Sequence, residues 1–170
     1  MSDIQNAIAD LVPALRAFAR TFCPRSADAD DLVQDTLVRA IANMNKFEPG
    51  TKLKAWLFTI MRNAFYTSIK RYNREKPGFA ADVASTSAAE QSMLPAQEWH
   101  IALGEMHEAI NNLPEKQREM LVLIAVLGTS YEEAAEICGC EVGTVKSRLS
   151  RARASLLEAL EGPKYDIMAA

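Results

Sequence analysis

Apolar residues recur at intervals of three and four along most of the chain, the period of an amphipathic helix. Over residues 4–22, Ile4, Ile8, Leu11, Leu15, Phe18 and Phe22 form one stripe. Pro13 interrupts it, so either the helix kinks there or a second helix starts near Val12 with proline in its first turn. The next helix is predicted to start after Ser26 as N-cap, with acids in its first turn. Its buried stripe reads Val33, Thr36, Leu37, Ala40, Ile41 and Met44. Residues 45–52 read as a turn, marked by Pro49-Gly50. A third helix runs to about Glu75 on Leu53, Trp56, Leu57, Ile60, Met61, Ala64, Phe65, Ile69 and Tyr72. Three such helices close a small core of about 70 residues, near the lower limit for independent folding.

Pro77-Gly78 stops that pattern. Residues 77–95 hold no Lys or Arg and few large apolar groups, so they read as a flexible linker, with an Ω-loop as the alternative. A second unit follows. Trp99, Leu103, Met106 and Ile110 line one helix, and Leu113-Pro114 breaks it. Glu115 to Leu127 gives another, Gly128 ends it, and Ser130 caps the next. No alternating strand pattern bounded by turn residues occurs. The expected fold class is all-α, with two small helical domains at 1–76 and 96–161, a linker at 77–95 and a tail at 162–170.

The strongest local signal lies at 130–157, SYEEAAEICGCEVGTVKSRLSRARASLL. A short helix from Tyr131 to Cys138 carries the small Ala135 where two helices must cross. Gly139 suits a turn that needs positive φ, and a second helix begins near Glu141. At about 100° per residue, Val142, Val145, Leu149, Ala152 and Leu156 cluster on one side. Gly143, Thr144, Ser147, Ser150 and Arg151 lie opposite, flanked by Lys146, Arg148 and Arg153. That outward face is small, polar and basic, so it fits a DNA major groove. Its cations hold phosphate or donate to guanine. The plainer alternative is a solvated basic helix.

Composition changes little: 49% hydrophobic and 24% charged is ordinary globular usage. The chain has no apolar run long enough to span a membrane, and its start is acidic rather than signal-like. Three cysteines argue against a disulfide framework and for a reducing, cytoplasmic location. Cys23, Cys138, Cys140, His100 and His107 show no metal-ligand spacing, so no metal and no cofactor are expected.

Charge distribution matters more than the net −3. Residues 46–76 hold eight Lys/Arg and two acids, whereas 28–35 hold four acids and no base. In the basic segment Lys52, Lys54, Arg62, Lys70, Arg71 and Arg74 accompany several aromatics. Phe58 and Tyr66 are expected to point outward, where they stack bases of a single strand, and Asn63 on the same side reaches a base edge. A merely solvated face is equally compatible with this segment.

Together these stretches resemble a bacterial extracytoplasmic-function (ECF) sigma factor along nearly the whole chain. DADDLVQDTLVRAIANMNKF and LKAWLFTIMRNAFYTSIKR resemble the promoter-melting domain. LPEKQREMLVLIAVLGTSYEEAAEICGCEVGTVKSRLSRAR resembles the second domain. The runs SYEEAAEICGCEVGTVKSR and FEPGTKLKAWLFTIMRNAFY look like the EcfG-type subgroup of the alphaproteobacterial general stress response. The resemblance implies a protein that binds core RNA polymerase and directs promoter-specific initiation of a stress regulon. It implies docking on the clamp helices of the largest subunit by Asp31, Gln34 and Asp35. It implies capture of the opened −10 element by the first domain, with Lys52, Arg62, Asn63, Tyr66, Lys70, Arg71 and Arg74 as candidates and Asn63 at a flipped-base pocket. It implies duplex −35 reading by Thr144, Lys146, Ser147, Arg148, Arg151 and Arg153. It also implies control by a small NepR-like anti-sigma protein.

Three other readings compete. A sigma mimic that only titrates an anti-sigma factor should have lost the basic faces that this chain keeps. A one-domain repressor does not require the acidic helix followed by the basic aromatic one. For an enzyme, the chain lacks a phosphate-cradling glycine loop and a nucleophile motif.

Overall fold

The computed structural model describes residues 2–48, 50–75 and 97–161. Those residues form eight α-helices: α1 Ser2–Asp10, α2 Val12–Ala19, α3 Ser26–Ala42, α4 Leu53–Glu75, α5 Gln97–Asn111, α6 Glu115–Leu121, α7 Tyr131–Cys138 and α8 Val142–Glu161. The linker expected at 77–95 and the tail at 162–170 lie outside the described residues. The break at Pro13 is resolved as two helices, with proline in the first turn of α2. Its missing N–H falls where a helix start has no partner to lose. Helix α3 begins at Ser26 itself, with Arg25 in the N-cap position and no side-chain cap.

Helices α2, α3 and α4 build the first core from Leu15, Phe18, Phe22, Ala29, Val33, Leu57, Met61 and Phe65. The buried stripe of α3 is Ala29, Val33, Thr36 and Ala40. Thr36 satisfies its buried hydroxyl by donating to the Leu32 carbonyl at 2.7 Å. Ile41, expected in this stripe, is instead 62% exposed, and Val38 is 65% exposed. A helix turns about 100° per residue, which carries Ile41 past the edge of that narrow stripe. Tyr72, expected in the stripe of α4, is also exposed.

The second half is built on Leu113, Met120, Leu123, Ala134, Ile137, Val145, Leu149 and Ala152. Helix α6 does not continue as α-helix to Leu127. It passes at Val122–Val126 into a π-helical turn, which ends at Gly128 with φ +63°. Ser130 then caps α7 in a capping box with Glu133.

The two halves pack against each other. Buried residues of both belong to one continuous hydrophobic cluster. Phe58, expected to face outward, is fully buried, with its ring 4.8 Å from that of Phe18. Lys54 lies over the Phe58 ring and donates to the Leu127 carbonyl of the second half. Phe58 therefore packs inside the first unit against α2, and the buried arc of α4 is wider than its apolar stripe predicts.

Candidate nucleic-acid interface

The helix-turn-helix geometry follows from one residue. Gly139 adopts φ +59° at the end of α7. Its N–H donates to the Glu136 carbonyl at 3.2 Å, and the Cys140 N–H donates to the Ala135 carbonyl at 3.0 Å. This pair of bonds satisfies the last carbonyls of α7 and reverses the chain into α8. Val145, Leu149 and Ala152 are then buried. Lys146, Ser147, Ser150, Arg151 and Arg153 are exposed, whereas Thr144 and Arg148 are half-buried. Ser147 donates to the Thr144 carbonyl at 3.0 Å, Arg148 reaches the Cys140 sulfur at 4.0 Å, and Lys146 lies 5.9 Å from the Tyr131 ring centre. Five residues of the small, polar, basic face expected of α8 are therefore exposed, and Thr144 and Arg148 lie at its half-buried edge.

On α3, Asp31, Gln34 and Asp35 are all exposed. Arg39 pairs with Asp35 at 2.9 Å, Arg16 with Asp30 at 3.0 Å and Arg25 with Asp28 at 2.7 Å. Asp31 makes no ion pair among the described residues. Gln34, Val38 and Ile41 share the outer face, so the acidic patch carries an apolar edge. Sequence reasoning missed Val38 and Ile41 as surface groups. Their signal was an apolar residue about half a turn away from the Val33–Thr36–Ala40 stripe.

Helix α4 divides the remaining candidates. Asn63, Lys70, Arg71 and Arg74 are exposed. Three others are turned toward the second half. Arg62 donates through Nε to Glu119 Oε1 at 2.7 Å, the Tyr66 hydroxyl donates to Glu115 Oε1 at 2.6 Å, and Lys52 is ion-paired with Glu133. Tyr66 is thus half-buried rather than outward, and burial together with the bond to Glu115 pushes its phenol well above the usual range. Glu119 is fully buried, and desolvation raises its carboxyl against the opposing pull of Arg62. Beside it, burial raises the Cys138 thiol, and burial likewise holds Cys23 up at about 11. Neither is a poised thiolate. A groove of ≈ 490 Å³ between α4 and α7 is lined by Lys46, Lys52 and Trp56 on one side and by Glu132, Glu133 and Glu136 on the other. Among the described residues, no cluster of His, Cys, Asp or Glu has a metal-binding arrangement, and no helix is long and apolar enough to cross a membrane.

Comparison with known proteins supplies the context. Residues 7–75 match the Sigma-70 region 2 family, and residues 103–156 match the Sigma-70 region 4 family. The ECF RNA polymerase sigma factor EcfG of Rhodopseudomonas palustris is 45% identical over 153 residues, covering 90% of this chain and 82% of the relative. The sigma factor RpoE of Bartonella quintana, crystallised with the anti-sigma factor NepR, superposes with a TM-score of 0.79 at 43% identity over 96% of this chain and all of its own. CnrH, solved with the cytosolic domain of CnrY, superposes with a TM-score of 0.64 at 31% identity over 94% of this chain and 90% of its own. The two family matches together span both helical halves of the chain. The chain belongs to the ECF RNA polymerase sigma factors, which bind core polymerase and direct transcription initiation at specific promoters.

Proposed function

We propose that this chain is a two-part promoter reader divided into a unit at 1–76, a linker at 77–95, a second unit at 96–161 and a tail at 162–170. Helix α3 docks on the clamp helices of core polymerase through Asp31, Gln34 and Asp35, with Val38 and Ile41 as the apolar part of the contact. Helix α4 captures the opened −10 strand with Lys52, Arg62, Asn63, Tyr66, Lys70, Arg71 and Arg74. Extruding a base from the stack costs a few kcal/mol, which a pocket at Asn63 offsets. Helix α8 enters the −35 major groove with Thr144, Lys146, Ser147, Arg148, Arg151 and Arg153.

The observation that carries this reading is the face of α8. Its exposed side is polar and basic along the same stretch whose opposite side buries Val145, Leu149 and Ala152. A solvated helix needs no such coincidence with a Gly139 turn. The chain supplies no chemistry of its own, and nucleotide addition belongs to the polymerase. It acts in the cytoplasm, and a NepR-like anti-sigma protein holds it inactive.

The test separates the two ends of the molecule. Asp31→Ala with Asp35→Ala weakens core binding and leaves −35 duplex binding intact. Arg148→Ala with Arg151→Ala does the reverse. Loss of both activities in both variants contradicts the division of labour.

A further inference from the structure

Three side chains at the start of the −35 face of α8 have a neighbour before any DNA arrives. Ser147 donates to the Thr144 carbonyl at 3.0 Å, Arg148 lies against the Cys140 sulfur at 4.0 Å, and the Lys146 ammonium sits over the Tyr131 ring, 5.9 Å from its centre. The first two neighbours belong to α8 itself and to the turn that enters it. Tyr131 belongs to α7, the other helix of the pair. Resting on the −35 reading of α8, we propose that Tyr131 is a positioning residue, whose ring holds the Lys146 ammonium ready for the phosphates that border the −35 major groove.

The ring is well anchored for this. Tyr131 is the first residue of α7, and the reciprocal cap of Ser130 and Glu133 fixes the turn on which it stands. It is half-buried and packs against the hydrophobic cluster that contains Ala134 and Ala135. Those two residues lie one turn further along the same face of α7. Part of the ring is thus held by the core, and Lys146 lies over it from the solvent side, where that lysine is exposed. The negative face of an aromatic ring attracts an ammonium electrostatically.

A ring suits the task better than an acid would. Lysine carries a compact charge on a flexible four-carbon stem. Fixing such a side chain on a partner costs conformational entropy, and a contact that fixes it beforehand removes part of that cost. An ammonium has three donors. A ring face takes up at most one of them and leaves the positive charge whole for DNA, whereas a carboxylate in its place would neutralise that charge and would have to be displaced by phosphate. Arg151 stands more than one turn further along α8, so its contact with DNA should not depend on Tyr131. The two cations therefore differ in what a change at Tyr131 does to them.

The experiment uses the full chain and a fluorescein-labelled duplex cut from the −35 segment upstream of a start site that wild type directs on genomic fragments. Fluorescence anisotropy reads affinity. Tyr131→Phe keeps the ring, and Tyr131→Leu removes it. Pentafluorophenylalanine at position 131 keeps the ring's shape and reverses its quadrupole, so it decides the matter even where Tyr131→Leu loses structure. Each protein is also made with Lys146→Met and with Arg151→Ala. Tyr131→Phe should bind like wild type, while Tyr131→Leu and the pentafluoro protein should bind about threefold more weakly, the effect of one cation–π contact at an exposed site. That loss should vanish with Lys146→Met and persist with Arg151→Ala. A loss that stays at full size with Lys146→Met means that Tyr131 acts through the fold of α7, and it overturns the proposal. So does a pentafluoro protein that binds like wild type. Equal losses in Tyr131→Phe and Tyr131→Leu place the hydroxyl itself on DNA and overturn it too. No duplex binding by wild type, or Lys146→Met binding as tightly as wild type, overturns the −35 reading of Lys146, and the positioning falls with it.

Discussion

Ser130 and Glu133 cap α7 reciprocally: the Glu133 N–H donates to Ser130 Oγ at 3.1 Å, and the Ser130 N–H donates to Glu133 Oε2 at 3.1 Å. Two otherwise orphaned donors at the start of a helix are satisfied by one serine and one glutamate. Helix α7 has only eight residues, so its cap is a large share of what holds it in register. It is also the helix against which α8 is set. Ser130→Ala should therefore cost about 1 kcal/mol in urea unfolding and lower −35 duplex affinity without removing any DNA contact. Unchanged stability would mean that packing of Ile137 and Ala134 fixes α7 alone.

The buried carboxyl of Glu119 should leave a signature in stability against pH. Desolvation raises it above the ordinary value of 4.5, with Arg62 pulling the other way and Glu115 adding to the rise. A raised folded-state value means that the native chain binds more protons than the unfolded chain across that window. This group's contribution therefore declines as pH rises above 4.5. Urea unfolding between about pH 4.5 and neutral should show a decline that Glu119→Gln flattens. Parallel pH profiles for the two proteins would show that Glu119 titrates as it does when unfolded.

Opposite faces of α8 should respond differently to truncation. Arg151 is exposed and Leu149 is 2% exposed. Arg151→Ala should lose about 1–3 kcal/mol of −35 duplex binding if a base contact is removed, with the unfolding midpoint unchanged. Leu149→Ala should instead lower stability by about 2–5 kcal/mol. A binding defect in Arg151→Ala that tracks a stability defect would assign that side chain to the fold.

The exposed apolar edge of α3 makes a further prediction. Val38→Asp places a charge on a position 65% exposed and far from the core, so stability should stay within about 0.5 kcal/mol of wild type. Binding to core polymerase should fall, because charge at the centre of an apolar contact is poorly desolvated. Retained core affinity would remove Val38 from the docking face.

Most of the local structure was legible from spacing. The bounds of α7, the turn at Gly139 and the buried side of α8 follow from residues with one strong preference each: a capping serine, a left-handed glycine and a run of aliphatics at helical period. What spacing did not show was how the halves meet. Tyr66 looked outward because a single helix pattern contains no information about the second unit, whose Glu115 it meets, and Phe58 looked outward because the pattern did not show that α2 brings Phe18 against it. Ile41 looked buried because one residue of register separates it from Ala40 by only about 100°, and the stripe of α3 is narrower than its composition suggests. The pairing of Arg62 with Glu119 spans 57 positions, a separation that no local rule connects. The exposed polar face of α8 was legible because exposure and burial there obey one period. The exposed face of α4 was not, because Lys52, Arg62 and Tyr66 pair across the interface between the halves.

Two separated reading faces, as proposed, would make core polymerase promoter-specific only when this chain is bound to it. The most direct measurement is in vitro transcription by purified core polymerase on genomic promoter fragments, with wild type and with Arg148→Ala/Arg151→Ala. Core alone should give no specific transcript, wild type should add discrete start sites, and the α8 variant should lose those transcripts although it still binds core. Transcripts unchanged by the α8 variant, or none with wild type on any fragment, would contradict it.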